Sequence, residues 1–269
     1  MRKTVLINGA NGYLGSYLVR YLRERKTFNL VLWYENILGE YTVPPVDAVV
    51  HLAGLANSYK GPPEDIMEVN FYGVVNVALK TMGTHFVFLS SDYVFSGEDL
   101  EKVCRENDLQ EPTTVYGRAK AEAEQFLRAS VERATILRAS LLYGYDHPRR
   151  QNFFRLLADK LDRGEQVELF TDVGSCPTYI LDLCGVIERV VNEERIGTFH
   201  ACGGKYLSRY ELGLAYCGVR GLAPNLLVPI SKPSNVAIPK HLRMSRSVEF
   251  ADELNTSLEE GLRAWLKKS

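Results

Sequence analysis

The stretch TVLINGANGYLG, residues 4–15, decides the fold. Thr4 to Asn8 is short, apolar and β-branched, which reads as a strand. It stops at Gly9, and Leu14, Leu18, Val19 and Leu22 then recur on one face of a helix. Of the intervening glycines, Gly9 permits a tight turn and Gly12 lets backbone N–H groups approach a pyrophosphate at the helix N-terminus. Gly15 lets the helix lie close to the sheet. A glycine turn alone is ambiguous, but its place between a first strand and a first helix makes Gly9, Asn11, Gly12, Tyr13, Leu14 and Gly15 a candidate dinucleotide cradle.

Outward from that turn, Leu30–Trp33, Ala48–Leu52, His85–Ser91 and Ala134–Arg138 are apolar runs without polar alternation, as buried parallel strands are. A long helix is predicted over EDIMEVNFYGVVNVALKTM after Pro62-Pro63, and another over about Thr114 to Glu132. This alternation predicts an α/β fold, a doubly wound parallel sheet of Rossmann type. Only about a dozen residues, broken by Gly39 and Pro44-Pro45, join the second strand to the third, so that crossover is expected to lack its helix. Beyond Tyr143 the alternation loosens. Residues 1–145 plus about 177–202 are expected to form the dinucleotide domain, and about 146–176 with 203–269 a smaller substrate lobe.

The chain has 269 residues, 46% hydrophobic and 24% charged, in the ordinary range for a globular protein. Its 32 basic and 33 acidic residues nearly cancel and no basic run is long, which argues against nucleic-acid or lipid-surface partners and for a small molecule. Cys104, Cys176, Cys184, Cys202 and Cys217 are an odd number without metal spacing, as expected in a reducing compartment. No apolar run approaches a membrane span and no signal peptide is read, so a cytoplasmic location is expected. His51, His85, His147, His200 and His241 show no metal spacing; His51 and His85 are expected to be satisfied core histidines, and no metal is assigned.

The choice between NAD and NADP turns on the end of the second strand, where a carboxylate accepts ribose hydroxyls and an Arg accepts a 2′-phosphate. Tyr34 and Glu35 stand there, with no Lys or Arg between Lys26 and Lys60, which favours NAD; the competing reading of Glu35 is a solvated loop acid. Further on, Tyr116 and Lys120 lie one turn apart on one helix face. An adjacent ammonium brings a phenol toward the working range of an acid or base, and it can also grip the nicotinamide ribose. Chance produces this spacing often, but Ser90-Ser91-Asp92 ends an inner strand, where Ser91 can orient a carbonyl oxygen toward Tyr116.

With these residues in view, the sequence resembles the extended short-chain dehydrogenase/reductases. GANGYLG, HLAG (His51 to Gly54), VNFYGVVN, LSSDYVFSG and VYGRAK all fit. Within that family it is most similar to the dTDP-4-dehydrorhamnose reductase subgroup, through Ser90 to Gly97 and the segments LRASLLYG, PTYILDL and GTFHACGGKYLSRYEL. The resemblance implies Ser91, Tyr116 and Lys120 as a catalytic triad, with Asn70 supporting a water near Lys120. It adds cofactor contacts from Leu52, Ala53 and Gly54, and a nucleotide-sugar pocket to which Ser91, Asp92, Tyr93, Tyr143, Asn152 and Arg243 are assigned.

The sequence departs from the subgroup where an Arg-Pro pair is replaced by Ile238-Pro239, with Arg243 as the substitute, and Gly39-Glu40-Tyr41 looks like the remnant of an adenine-contacting turn. Arg149-Arg150 reads as a solvated basic pair or a phosphate clamp, Glu122 and Glu124 as solvent-facing, and Phe95 as core. The function expected is an NAD(P)-dependent keto-sugar reductase, a homodimer by analogy with such folds. Two alternatives stand beside it: a nucleotide-sugar epimerase or dehydratase, and a non-catalytic cofactor-binding subunit like the methionine adenosyltransferase regulatory subunit.

Overall fold

The computed structural model describes residues 1–56, 61–147 and 152–267. The central sheet has six strands: β1 (Thr4–Asn8), β2 (Asn29–Trp33), β3 (Ala48–His51), β4 (His85–Ser91), β5 (Ala134–Ala139) and the strand Gly197–His200. Their order is Gly197–His200, β5, β4, β3, β1, β2, and every neighbouring pair is parallel. From β1 the chain builds β2 on one side, then crosses to β3 on the other. This reversal leaves a crevice beyond the carboxyl ends of β1 and β3, where such sheets bind ligands.

On one face, Val5, Ile7, Val50, Val87 and Leu137 are buried under α1 (Tyr13–Arg25) and the helix Ile180–Glu193. On the other, Leu6, Val49, Phe86, Phe88 and Ile136 meet the helices that precede β4 and β5. The β2–β3 crossover has no helix, as expected; Ile37 fills part of that place as a member of the same buried cluster. Asn76 pins the crossover by donating to the carbonyls of Ile37 (2.7 Å) and Gly39 (3.3 Å). Tyr41 lies edge-on to Trp33 at 4.4 Å under the Lys80 ammonium, so the Gly39-Glu40-Tyr41 turn holds this cover in place.

The long helix predicted before β4 is continuous but not regular. Between α2 (Pro63–Met67) and α3 (Gly73–Lys80) it widens into a π-helical turn, Glu68–Tyr72, a distortion common at functional positions. Asn70 sits in that turn and is fully buried.

A third cluster, with Phe154, Leu212, Tyr216, Leu262 and Trp265, forms the core of the C-terminal segments. It also claims Tyr143, which corrects that residue's assignment to the sugar pocket. Tyr143 is 1% exposed, its hydroxyl donates to the Ser257 carbonyl, and its ring packs on Phe154 and Tyr179. Phe95 is core, as expected. Among the described residues, no helix is long and apolar enough to cross a membrane.

Gly15 sets how closely α1 approaches the turn before it: a Cβ there would stand 2.1 Å from the Gly9 carbonyl oxygen. Gly→Ala in an unconstrained helix interior gains about 1 kcal/mol. We expect Gly15→Ala instead to lose roughly 1–3 kcal/mol through this overlap, measured as a lower urea midpoint; a midpoint equal to or above the wild type would contradict the packing described.

Candidate active site

The glycine turn is closed by a Gly12 N–H to Gly9 carbonyl bond of 3.0 Å, with Gly9 at φ 77°. Gly12 caps α1 without a side chain, and no acidic residue occupies the first turn, so the helix terminus is free to meet an anion. The Leu52 N–H donates to the Asn8 carbonyl, which brings Leu52, Ala53 and Gly54 against the turn. Asn11 is exposed, whereas the side chains of Tyr13 and Leu14 are buried. Leu14 is core, and Tyr13 faces Tyr17 and His147, so both can meet a ligand at this end of the helix mainly through backbone. Tyr34, at 64% exposure, and Glu35 extend into solvent beyond β2.

Lys120 is buried against the carboxyl end of β4. It belongs to α4 (Val115–Ser130), which Thr114 caps by accepting the Gly117 N–H. Its Nζ donates to the Leu89 carbonyl of β4 at 2.9 Å and lies 4.5 Å from the centre of the Phe88 ring and 6.0 Å from that of Tyr116. Tyr116 meets Tyr93 edge-on at 5.7 Å. Gly117 allows α4 to lie against the Asp92–Val94 turn, since a Cβ there would be 2.1 Å from the Tyr93 carbonyl. Ser91 stands between the two contacts, two residues after Leu89 and two before Tyr93. Lys120 and Tyr116 thus lie together against the carboxyl end of β4, the strand that ends at Ser91.

Asn70 completes this corner. Its Nδ2 donates to the Leu55 carbonyl, while its buried Oδ1 has no partner. A Cβ on Gly54 would be 2.5 Å from that oxygen and 3.8 Å from the Lys120 ammonium. Asn8 Oδ1, at the end of β1, is likewise buried without a partner. The cradle that a Cβ would fill and these orphaned acceptors fit a dinucleotide with its ordered water.

Burial pulls Lys120 down to about 8, against the opposing pull of Glu124. His51, stacked on Phe86, is pulled down to about 3 by burial and then by the Lys120 charge, so it stays neutral. Neither of its ring nitrogens makes a well-formed hydrogen bond, which corrects the expectation of a satisfied core histidine. His85 is satisfied at Nε2 by Thr135 and the Arg195 carbonyl but not at Nδ1.

Glu124 corrects a second expectation. It is fully buried and bridges Arg138 (2.7 Å), Ser90, Gln110 and Arg128. Helical spacing held the signal, since Tyr116, Lys120 and Glu124 fall four apart on one face. Glu122 is half-buried.

Asn152 is occupied otherwise than assigned. Its Oδ1 caps the helix Phe153–Asp162 and its Nδ2 reaches the Tyr13 hydroxyl and the Tyr145 carbonyl. Arg243 stacks on Tyr206 at 4.9 Å and lines an open groove of about 490 Å³ with Cys176, Lys205, Ser245 and Arg246. Ser140 and Arg209, beside Asp92, had no signal in local sequence. Arg149-Arg150 lies outside the described residues.

A family model described as RmlD substrate binding domain matches residues 2–266. Spore coat polysaccharide biosynthesis protein SpsK of Bacillus subtilis (strain 168) is 26% identical over 279 residues, covering 98% of this chain and 97% of that protein. Methionine adenosyltransferase 2 subunit beta of Danio rerio is 24% identical over 256 residues, covering 86% of this chain and 78% of that protein. The fold is shared with dTDP-4-dehydrorhamnose reductase from Bacillus anthracis str. Ames, solved in complex with NADP, at a TM-score of 0.87 and 23% identity, with 100% of each chain covered.

Because Lys120 has its folded pKa near 8, below an ordinary value of 10.5, the unfolded chain binds the extra proton between those limits. Stability from this group therefore rises with pH through that window and is lowest below it. We expect the unfolding free energy of the wild type, relative to Lys120→Met, to climb by something on the order of 3 kcal/mol from pH 8 to 10.5 in urea titrations. A flat difference curve would refute the burial cost.

Proposed function

The chain belongs to the RmlD substrate binding domain family, and from that premise we propose that it is an NAD(P)-dependent reductase of a keto-sugar, most consistent with a nucleotide-linked one. Lys120 carries this reading: an ammonium buried beside Gly54 and the orphaned Asn70 oxygen, held by the Leu89 carbonyl, one turn after Tyr116.

The glycine turn, Leu52 to Gly54 and Asn70 would hold the dinucleotide, and the chemistry it supplies when bound is hydride transfer. Tyr116 donates its proton to the sugar oxygen as that oxygen gains charge. Lys120 favours the phenolate left behind and grips the ribose, and Ser91 steadies the oxygen. Glu35 and the lack of Lys or Arg between Lys26 and Lys60 favour NAD, because a carboxylate suits ribose hydroxyls and repels a 2′-phosphate. The Arg243 groove, with Lys205 and Arg246, suits the anionic part of a nucleotide sugar.

A second reading has one observation in its favour, the likeness to methionine adenosyltransferase 2 subunit beta. It calls for cofactor binding without turnover. Binding of NADH and NADPH, followed by their oxidation against a panel of keto-sugar nucleotides, separates the two; stoichiometric consumption also separates a reductase from an epimerase or dehydratase. We expect Tyr116→Phe to lower kcat by about 10²–10⁴-fold with cofactor affinity nearly unchanged. Full turnover in that variant would remove Tyr116 from the chemistry.

A further inference from the structure

A substrate carbonyl needs a hydrogen from Ser91, yet in the structure that hydrogen points inward. Ser91 Oγ donates to Asp92 Oδ1 at 2.9 Å and accepts the Tyr93 N–H at 3.3 Å. The other Asp92 oxygen accepts from Ser140 Oγ at 2.6 Å, and Ser140 in turn accepts the Cys176 N–H. Asp92 is 3% exposed, and protonation turns its carboxyl from a pure acceptor into a group that can also donate.

While Asp92 is ionised it can only accept, so it holds both serine protons and leaves Ser91 an outward lone pair. That arrangement suits a hydroxyl. Once protonated, Asp92 can donate to one serine, and the Ser91 hydrogen is free to turn outward. That arrangement suits a keto oxygen or the alkoxide forming from it.

We propose that Asp92 is a positioning residue that sets the direction of the Ser91 hydroxyl, its neutral form preparing the site for a ketone and its ionised form for an alcohol. The proposal rests on the reductase reading of the same site. The titratable and charged groups facing Asp92 are Tyr93 on its own segment, Arg209 at the start of the helix Arg209–Arg220, Cys176 beside the Gly174–Ser175 strand, and Cys104 and Cys202 behind them. Burial pushes the Asp92 carboxyl up, against the hydrogen bonds of Ser140 and Ser91 and the Arg209 charge. Tyr93, pushed up to about 12 by burial, stays neutral alongside.

Asp92→Asn is nearly isosteric and, with a donating NH2 on one side and an accepting oxygen on the other, imitates the neutral acid at every pH. The probes are a dTDP-linked 4-keto-6-deoxyhexose and its 4-hydroxy product. In the wild type, KM for the ketone should rise about tenfold as pH is raised through the Asp92 titration, the worth of one aligned hydrogen bond, while KM for the alcohol should not rise. In Asp92→Asn the ketone KM should be flat with pH at the low value. Ser140→Ala, which removes a bond that favours the carboxylate, should move the wild-type transition to higher pH.

A readout independent of turnover is the Tyr93 amide, bonded to Ser91 Oγ, whose ¹H–¹⁵N shift should titrate in the wild type and not in Asp92→Asn. An equal rise of ketone KM in Asp92→Asn, or a Tyr93 amide that behaves identically in both proteins, overturns the proposal. If neither probe is turned over, the reductase reading fails for this sugar, and the Tyr93 amide still decides whether Asp92 governs Ser91.

Discussion

The site is held in place by one buried ion pair. Glu124 on α4 and Arg138 on β5, at 0% and 2% side-chain exposure, meet through Arg138 Nε and the guanidinium nitrogen beyond it. Arg138 also reaches the Glu106 carbonyl and His200, while Glu124 takes Ser90, Gln110 and Arg128. Taking two such charges out of water costs several kcal/mol per ion before any attraction is gained, so the pair is weak evidence for stability. Its geometric consequence is clearer: Glu124 ties α4, one turn beyond Lys120, to β5 through Arg138 and, by a separate hydrogen bond, to Ser90, the residue before Ser91.

Around that anchor the crevice combines backbone closeness with polar groups left unsatisfied. Asn8 and Asn70 each bury an oxygen without a partner, and His51 buries both ring nitrogens. An orphaned buried acceptor costs about 1–3 kcal/mol, and such groups cluster here at the carboxyl ends of β1 and β3 and in the π-helical turn. The Lys120 ammonium is confined among them with a lowered pKa. A site that is incomplete by itself and dense in polar atoms is the physical counterpart of one that binds a polar ligand.

The crossover without a helix shows how a parallel sheet can shed an element and keep its crevice. Ile37 supplies apolar cover, Asn76 satisfies two carbonyls of the connecting turn, and Tyr41 closes the end against Trp33. The second departure, Ile238 in place of an Arg, lies in a chain whose groove gathers Lys205, Arg243 and Arg246 instead. That groove thus draws its positive charge from other positions.

By itself the sequence determined the strand–helix alternation, the glycine turn, the missing helix and the Tyr116–Lys120 spacing, because each depends on neighbours within about one turn or one strand. It misjudged Glu124, Tyr143 and His51, and it was silent on Ser140 and Arg209. Whether Glu124 meets water or Arg138 depends on how α4 lies over β5, and whether Tyr143 lines a pocket or fills a core depends on the C-terminal helices. Those are facts of tertiary packing, where burial and distant partners set the charge, direction and exposure of a side chain that local sequence can only list.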